Sequence, residues 1–389
     1  MRVAFYEPAG ARTEPSLFDG NGPVHLIEPA LVASGHDVSR IPVRTRGEGP
    51  VSAAGEPNPI DSAEVAWLTD YFRSAQRPPP DIWISSLVSC HGADPIGPAA
   101  SAALGIPYVL VQPSIPPAGA ASANSDGAVQ LRRTMAGADA TIVFSTAQAE
   151  LFRQMLPEHD GRLVQLPPFV DLRRVASVIR RRAELRAALS RQHRISLDVP
   201  WLISTGPMST DAHLGSFRIV ARAVVLASKL DWQLIVAGTG SRRAEVEGLF
   251  RGSPRRLDRH IAMATTEDLS AILVCGDVLL WPFADEEFSP TVLEAQAAGL
   301  AVVGPRSSAM LDIVANGHTG VLTKPNNDAS FANAVTFLLQ QPNFRRTFAQ
   351  KAPRWASSNF DINVVAPQLS DAICRVSDAF RSRQPHTPA

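Results

Sequence analysis

Between Glu286 and Gly304 the sequence passes from a polar loop to a helix start, a glycine stop and a buried strand, and this progression constrains the chain most. Ser289 is a good N-cap and Pro290 suits the first helical position, where a missing N–H costs nothing. Gly299 suits the C′ stop, and Leu300 to Gly304 then reads as a short apolar strand. Such a helix start aims free N–H groups and a positive dipole end forward, which favours a phosphate in front of it. Glu286 and Glu294 bracket the start. A carboxylate is a poor phosphate ligand but a good acceptor for neighbouring sugar hydroxyls. Phosphate flanked by two hydroxyl-binding carboxylates points to a nucleotide-sugar.

The rest of the chain repeats the strand–turn–helix pattern. Residues 2–6 form an apolar strand, Asp19-Gly20-Asn21-Gly22 a turn, and a helix from about Pro23 to Ser34 follows with Val24, Ile27 and Leu31 on one face. Gly20-Asn21-Gly22 is not the G-x-G-x-x-G fingerprint of dinucleotide binding, and no acid stands about 20 residues on, which argues against a nicotinamide oxidoreductase. Further strands are expected at Asp81–Ser85, Pro107–Val111 and Ala140–Phe144, with helices around Ser62–Ala75, to Leu104, and through Met155. The long loop after Val111 carries Gln112 and Ser114 at the carboxyl end of a strand, where open α/β sheets bind ligands. A second set begins near Val199: strand Trp201–Thr205, turn at Gly206, helix Leu214–Lys229, strand Trp232–Ala237, and strand Asp277–Trp281 feeding the opening motif. The chain therefore reads as α/β, with two Rossmann-like domains over 1–190 and 195–364 and a last amphipathic helix near 365–380.

Charge and cysteine usage narrow the function. Lys+Arg and Asp+Glu each number 37, so the balance argues against nucleic acid as main partner. Three cysteines lie far apart without metal-ligand spacing, and no Asp-x-Asp or Cys/His cluster suggests a bound metal. No apolar run approaches the ~20 residues that span a bilayer, so a cytoplasmic protein is expected, with peripheral membrane contact open. Eight arginines fall in residues 173–194. They read either as a basic surface for anionic lipid or a phosphorylated acceptor, or as a solvated helix beside the linker.

The E-x7-E spacing of Glu286 and Glu294, with Phe288-Ser289-Pro290, the following Leu-Glu-Ala and the Ala-Gly-Leu-Ala-Val-Val exit, resembles the signature of GT-B glycosyltransferases of the retaining family 4. The likeness is strong over 199–340 and looser before it. It implies two domains facing across a cleft, the last helix crossing back to the first, and a metal-independent hexosyltransferase using a nucleoside-diphosphate sugar, UDP before GDP. No cofactor is implied beyond that co-substrate. The resemblance gives Glu286 the transferred sugar, Glu294 the ribose, and Phe288, Ser289, Pro290 and Thr291 the phosphates. Gly20, Asn21, Gly22 and Gly206 would face the donor, and Gln112 and Ser114 a hydroxyl acceptor.

Two departures concern the chemistry. The family clamps the diphosphate with an Arg and a Lys after the glycine corresponding to Gly206, where this chain has Pro207 and, near the Lys place, Ala212 and His213. His213, protonated beside the phosphates, is the expected substitute, with Arg218 and Arg242 as other candidates. The family's sugar-side His is replaced by Gln112-Pro113, while His91 stands one strand earlier. A loop histidine is more often a surface residue than a catalytic one, so His91 is a candidate only. A protein that kept the fold, binds sugar nucleotide and lost catalysis is the alternative.

Overall fold

The computed structural model describes residues 1–8, 23–41, 72, 78–86, 88–89, 94, 96–116, 125–251, 261–264, 269–284 and 289–383. The chain divides into two compact units: residues up to Pro167 together with those from Val365, and residues Pro168–Val364. Gly20–Gly22, His91, Glu286 and Phe288, and nearly all of the helix expected at 62–75, lie outside the described residues.

In the first unit, β1 (Arg2–Tyr6), β2 (Asp37–Arg40), β3 (Ile82–Ser86), β4 (Tyr108–Val111), β5 (Ala140–Val143) and β6 (Leu163–Gln165) form a parallel sheet in the order β2-β1-β3-β4-β5-β6. Its helices include α1 (Pro23–Ala33), α2 (Gly97–Leu104), α3 (Asp126–Gly137) and α4 (Thr146–Met155). All residues of β3, β4 and β5 are buried, as helix-covered parallel strands must be. Helices α3 and α4 start as their sequences indicate, with Ser125 and Ser145 accepting the backbone N–H of Ala128 and Gln148.

The second unit opens with α5 (Arg173–Ile179) and α6 (Arg182–His193). This corrects the expected domain limit at 190. Val170, Leu172 and Val175 belong to the hydrophobic core of the second unit, so residues from Pro168 on pack there. Two of the arginines have structural roles. Arg182 donates to Asp277 Oδ1 at 3.0 Å and to the carbonyl of Gly276 at 2.7 Å. Arg186 donates to Asp277 Oδ2 at 3.0 Å and to the carbonyl of Cys275 at 2.7 Å, its guanidinium lying 4.3 Å from the Trp201 ring centroid. These carbonyls end α9 (Leu269–Cys275), a helix terminus that attracts cations.

The second sheet contains β7 (Trp201–Thr205), β8 (Gln233–Ala237), β9 (Ile261–Ala264), β10 (Val278–Leu280), β11 (Ala301–Pro305) and β12 (Gly320–Thr323). Their order is β12-β11-β10-β7-β8-β9, all parallel. The chain runs outward from β7 to β9 and then returns to lay β10 on the other side of β7. That reversal is a topological switch point, and open α/β sheets bind ligands at the carboxyl ends of the strands there. The connecting helices are α7 (Asp211–Leu226), α8 (Arg243–Arg251), α10 (Pro290–Ala297) and α11 (Ser308–Ile313), followed by α12 (Asp328–Gln340) and α13 (Pro342–Phe360). The last helix, α14 (Ile362–Arg383), is longer than expected, and from Val365 it belongs to the first unit. Among the described residues no helix is long and apolar enough to cross a membrane.

Candidate functional site

The two strands at the switch point, β7 and β10, deliver Gly206 and the segment leading to α10. Gly206 N–H donates to the Ala237 carbonyl at 3.2 Å, and Met208 N–H to that of Thr239 at 2.8 Å, joining the loops after β7 and β8. A methyl on Gly206 would lie 2.3 Å from Cζ of Phe283, so the ring reserves this position for glycine. Phe283 follows β10 and meets the rings of Trp281, Phe217 and His213 edge-on, at centroid distances of 4.8, 5.5 and 6.0 Å. It is the contact through which β10 supports the start of α7. Sequence reading passed it over; the aromatic run Trp281-Pro282-Phe283 facing a glycine turn was the available signal.

At the start of α7, Thr210 Oγ1 accepts the His213 N–H at 3.2 Å, and His213 Nδ1 accepts the N–H groups of Ser209 and Thr210 at 3.3 Å each. The pair forms a capping box with histidine in the place usually held by Glu. Nδ1 must be unprotonated to accept, and burial pushes the imidazole below its ordinary pKa. The ring is occupied with its own helix here, whereas the expectation of a protonated His213 concerns the ring beside bound phosphates. Arg242 is also engaged, pairing with Asp211 and with Glu245 Oε2 at 2.7 Å. Arg218, exposed on α7, forms no ion pair among the described residues. It helps hold the carboxyls of Asp211 and Glu245 low, behind the larger effect of Arg242.

Helix α10 begins at Pro290 with Ser289 in the N-cap position, as expected, although the Ser289 side chain makes no capping bond. Ser289, Thr291 and Glu294 are 5%, 1% and 8% exposed, so the carboxylate of Glu294 is set into the protein directly behind the helix start. Gly299, at φ 85°, ends the helix region in the left-handed conformation the sequence required of it. Its N–H donates to Gln296 and that of Leu300 to Ala295, at 3.0 Å each.

In the first unit, Gln112 follows β4 with φ 49°, uncommon for a side-chain-bearing residue. Its Oε1 accepts the Phe144 N–H at 3.0 Å and its own N–H donates to Ile142 at 2.7 Å, so it ties the carboxyl ends of β4 and β5. Ser114 is exposed, its N–H donating to the Val88 carbonyl at 2.8 Å. Against β3 and β4 lies a buried network that the sequence did not disclose. The Asp94 carboxylate accepts from Ser85, from Tyr108 Oη at 2.7 Å, and from the N–H groups of Ile96 and Gly97 at 3.0 and 2.7 Å. Burial, then the adjacent Asp94, pushes the Tyr108 phenol well above its ordinary range.

Gly206, His213, Ser289, Pro290, Thr291 and Glu294 thus share the carboxyl edge of the second sheet, with Gln112 and Ser114 at that of the first. Among the described residues, no group of three or more His, Cys, Asp or Glu is placed to hold a metal ion. The edge offers hydrogen-bond donors and positive charge to an anion, and a buried carboxylate to hydroxyls.

Comparison with known proteins matches residues 200–341 to the family described as Glycosyl transferases group 1. The alpha-D-kanosaminyltransferase of Streptomyces kanamyceticus is 24% identical over 192 residues, covering 49% of this chain and 48% of that protein. The chain matches under half the length of the first curated relatives found. Among solved structures, a glycosyltransferase from Rickettsia africae superposes with a TM-score of 0.70 at 14% identity, over 98% of this chain and 99% of that one. Anabaena HepE in complex with UDP-glucose gives a TM-score of 0.65 at 16% identity, over 96% and 100%. The structural likeness is one of fold, the GT-B fold.

Proposed function

We infer that this chain, which belongs through residues 200–341 to the group 1 glycosyl transferases, moves a sugar from a nucleoside-diphosphate sugar to a hydroxyl acceptor with retention at the anomeric carbon. The observation that carries the reading is the buried Glu294 behind the Ser289-Pro290-Thr291 helix start, at the switch point beside Gly206. The helix start suits the donor phosphates, and Glu294 the two ribose hydroxyls. By resemblance, Glu286 orients the transferred sugar, Phe288 belongs to the donor-binding segment, and Gly20–Gly22 face the donor. Gln112 and Ser114 contact the acceptor, and His91 is a candidate for the catalytic histidine. Helix termini and arginines meet the phosphate charge in this reading, without a metal ion.

The chemistry balances within donor and acceptor. The bond between the anomeric carbon and the diphosphate oxygen breaks, and the acceptor oxygen bonds to the same face of that carbon. The acceptor proton passes to the departing diphosphate. UDP is favoured over GDP as the leaving group, supported by the likeness of fold to a protein that holds UDP-glucose.

Donor hydrolysis and calorimetric binding with UDP-glucose, UDP-N-acetylglucosamine and GDP-mannose test the reading. Turnover of one donor, with binding of its nucleoside diphosphate weakened by Glu294→Gln, is the expected result. Binding without turnover would instead identify a sugar-nucleotide-binding protein that has lost catalysis, a reading for which Pro207 and the neutral His213 speak.

A further inference from the structure

Beside the switch point, the second unit contains a cavity of about 410 Å³ between the first half of α7 and the turn entering α12. Ser216, Arg218, Arg222, Ala284, Asn326 and Asp328 line it. Its size suits a small ligand. The wall carries one ion pair, Arg222 with Asp328, while Arg218 makes no direct ion pair among the described residues and acts on Asp211 and Glu245 only through its field. Arg218 presents a planar fork of N–H donors, and Ser216 and Asn326 add a hydroxyl and an amide. Asn326 is held at φ 53°, a backbone conformation that asparagine tolerates better than most side chains. The remaining walls are apolar: Ala212, Gly215 and Ile219 on α7, and Ala284, next in sequence to the segment that contains Glu286. One net positive charge, donors in excess of acceptors, and space in front of a guanidinium describe a receptor for an oxyanion rather than for a neutral sugar or a cation.

We propose that this cavity binds a phosphoryl group, with Arg218 as the recognising cation and Arg222 held in reserve by Asp328. Two sources share this chemistry. One is the diphosphate of the donor, and that version rests on the glycosyltransferase reading. The other is a phosphate carried by a different molecule, which does not. Engagement of His213 and Arg242 within their own loops favours the first.

Isothermal titration calorimetry on the full chain with pyrophosphate, UDP and uridine tests the proposal. Arg218→Gln, a change at an exposed position outside the core, is expected to weaken pyrophosphate at least about tenfold, the loss of a charge-assisted hydrogen bond, and to leave uridine unaffected. Asp328→Asn, which releases Arg222, is expected to do the opposite and tighten pyrophosphate. A matching loss of UDP affinity in Arg218→Gln assigns the site to the donor, and an unchanged UDP affinity assigns it to a phosphate from another molecule. Pyrophosphate affinity equal in wild type and Arg218→Gln, or no pyrophosphate binding by wild type, overturns the proposal. Glu294→Gln separates the two readings: it should weaken UDP and uridine but not pyrophosphate, and its failure to do so would sink the ribose assignment while leaving the cavity's role standing.

Discussion

Thr210 and His213 cap each other: the threonine hydroxyl accepts the histidine N–H at 3.2 Å while the imidazole Nδ1 accepts the threonine N–H at 3.3 Å. The residue that the resemblance places near a phosphate-clamping lysine thus caps the start of its own helix. The consequences run through charge and stability together.

A neutral, capping His213 should titrate below the ordinary histidine value, because burial disfavours the imidazolium. With the folded pKa depressed, the unfolded chain binds the proton more readily. The stabilisation is therefore complete above the unfolded value and declines as pH falls through the folded one. NMR titration of the ring should show the lowered pKa, and Thr210→Ala, which removes the reciprocal acceptor, should cost about 0.5–2 kcal/mol in urea unfolding. A ring that titrates above the ordinary value in the free protein would contradict the cap.

Glu294→Gln should weaken UDP by about 1–3 kcal/mol, the range for a hydrogen bond to a charged acceptor. Calorimetry reads this directly. UDP affinity equal to wild type would remove Glu294 from the nucleotide site.

Gly206→Ala should destabilise the second unit by about 1–3 kcal/mol, since the new methyl would meet the Phe283 ring at 2.3 Å. In a double-mutant cycle with Phe283→Leu, the penalty of the alanine should shrink, because the smaller side chain vacates the contested space. Strict additivity in thermal unfolding would show that the clash is relieved some other way.

Asp277→Ala removes the carboxylate on which Arg182, Arg186 and the Trp201 N–H converge. It should cost about 1–3 kcal/mol, as for a charge-assisted network that is partly open to solvent. Arg191→Ala, lacking such a partner among the described residues, should stay within about 0.5 kcal/mol. Equal losses for both would mean that the arginines act as a diffuse surface charge.

Much of the second unit was legible from local signals. Trp201–Thr205 is a short apolar run closed by glycine, and Pro290 and Gly299 mark the limits of α10 by their backbone preferences alone. What escaped depends on partners distant in sequence. The protonation of His213 follows from a cap and a ring packed against it, and the role of Gly206 from Phe283. The anchoring of α6 follows from Asp277, far along the chain. Pro353 and Pro367 lie inside α13 and α14, and the helix expected near 365–380 already contained the second of them. The parallel order β12-β11-β10-β7-β8-β9 is implied by alternating strands and helices, but the switch point between β7 and β10 is visible only once the strands are paired.

The helix α14 has one more implication, for the order in which the molecule is made. Val365, Leu369, Ala372 and Ile373 are fully buried in a segment that belongs to the first unit, and Ser370 bonds His36 at 2.8 Å. The first unit, whose sheet opens at Arg2, is therefore completed by residues that follow most of the second unit along the chain. The stretch Pro168–Val364 can close on itself during synthesis, while the first unit keeps an apolar face open until the residues from Val365 have been made. A nascent chain stalled before residue 365 should accordingly expose that face to chaperones, and a premature stop there should damage the first unit although its sheet is already made.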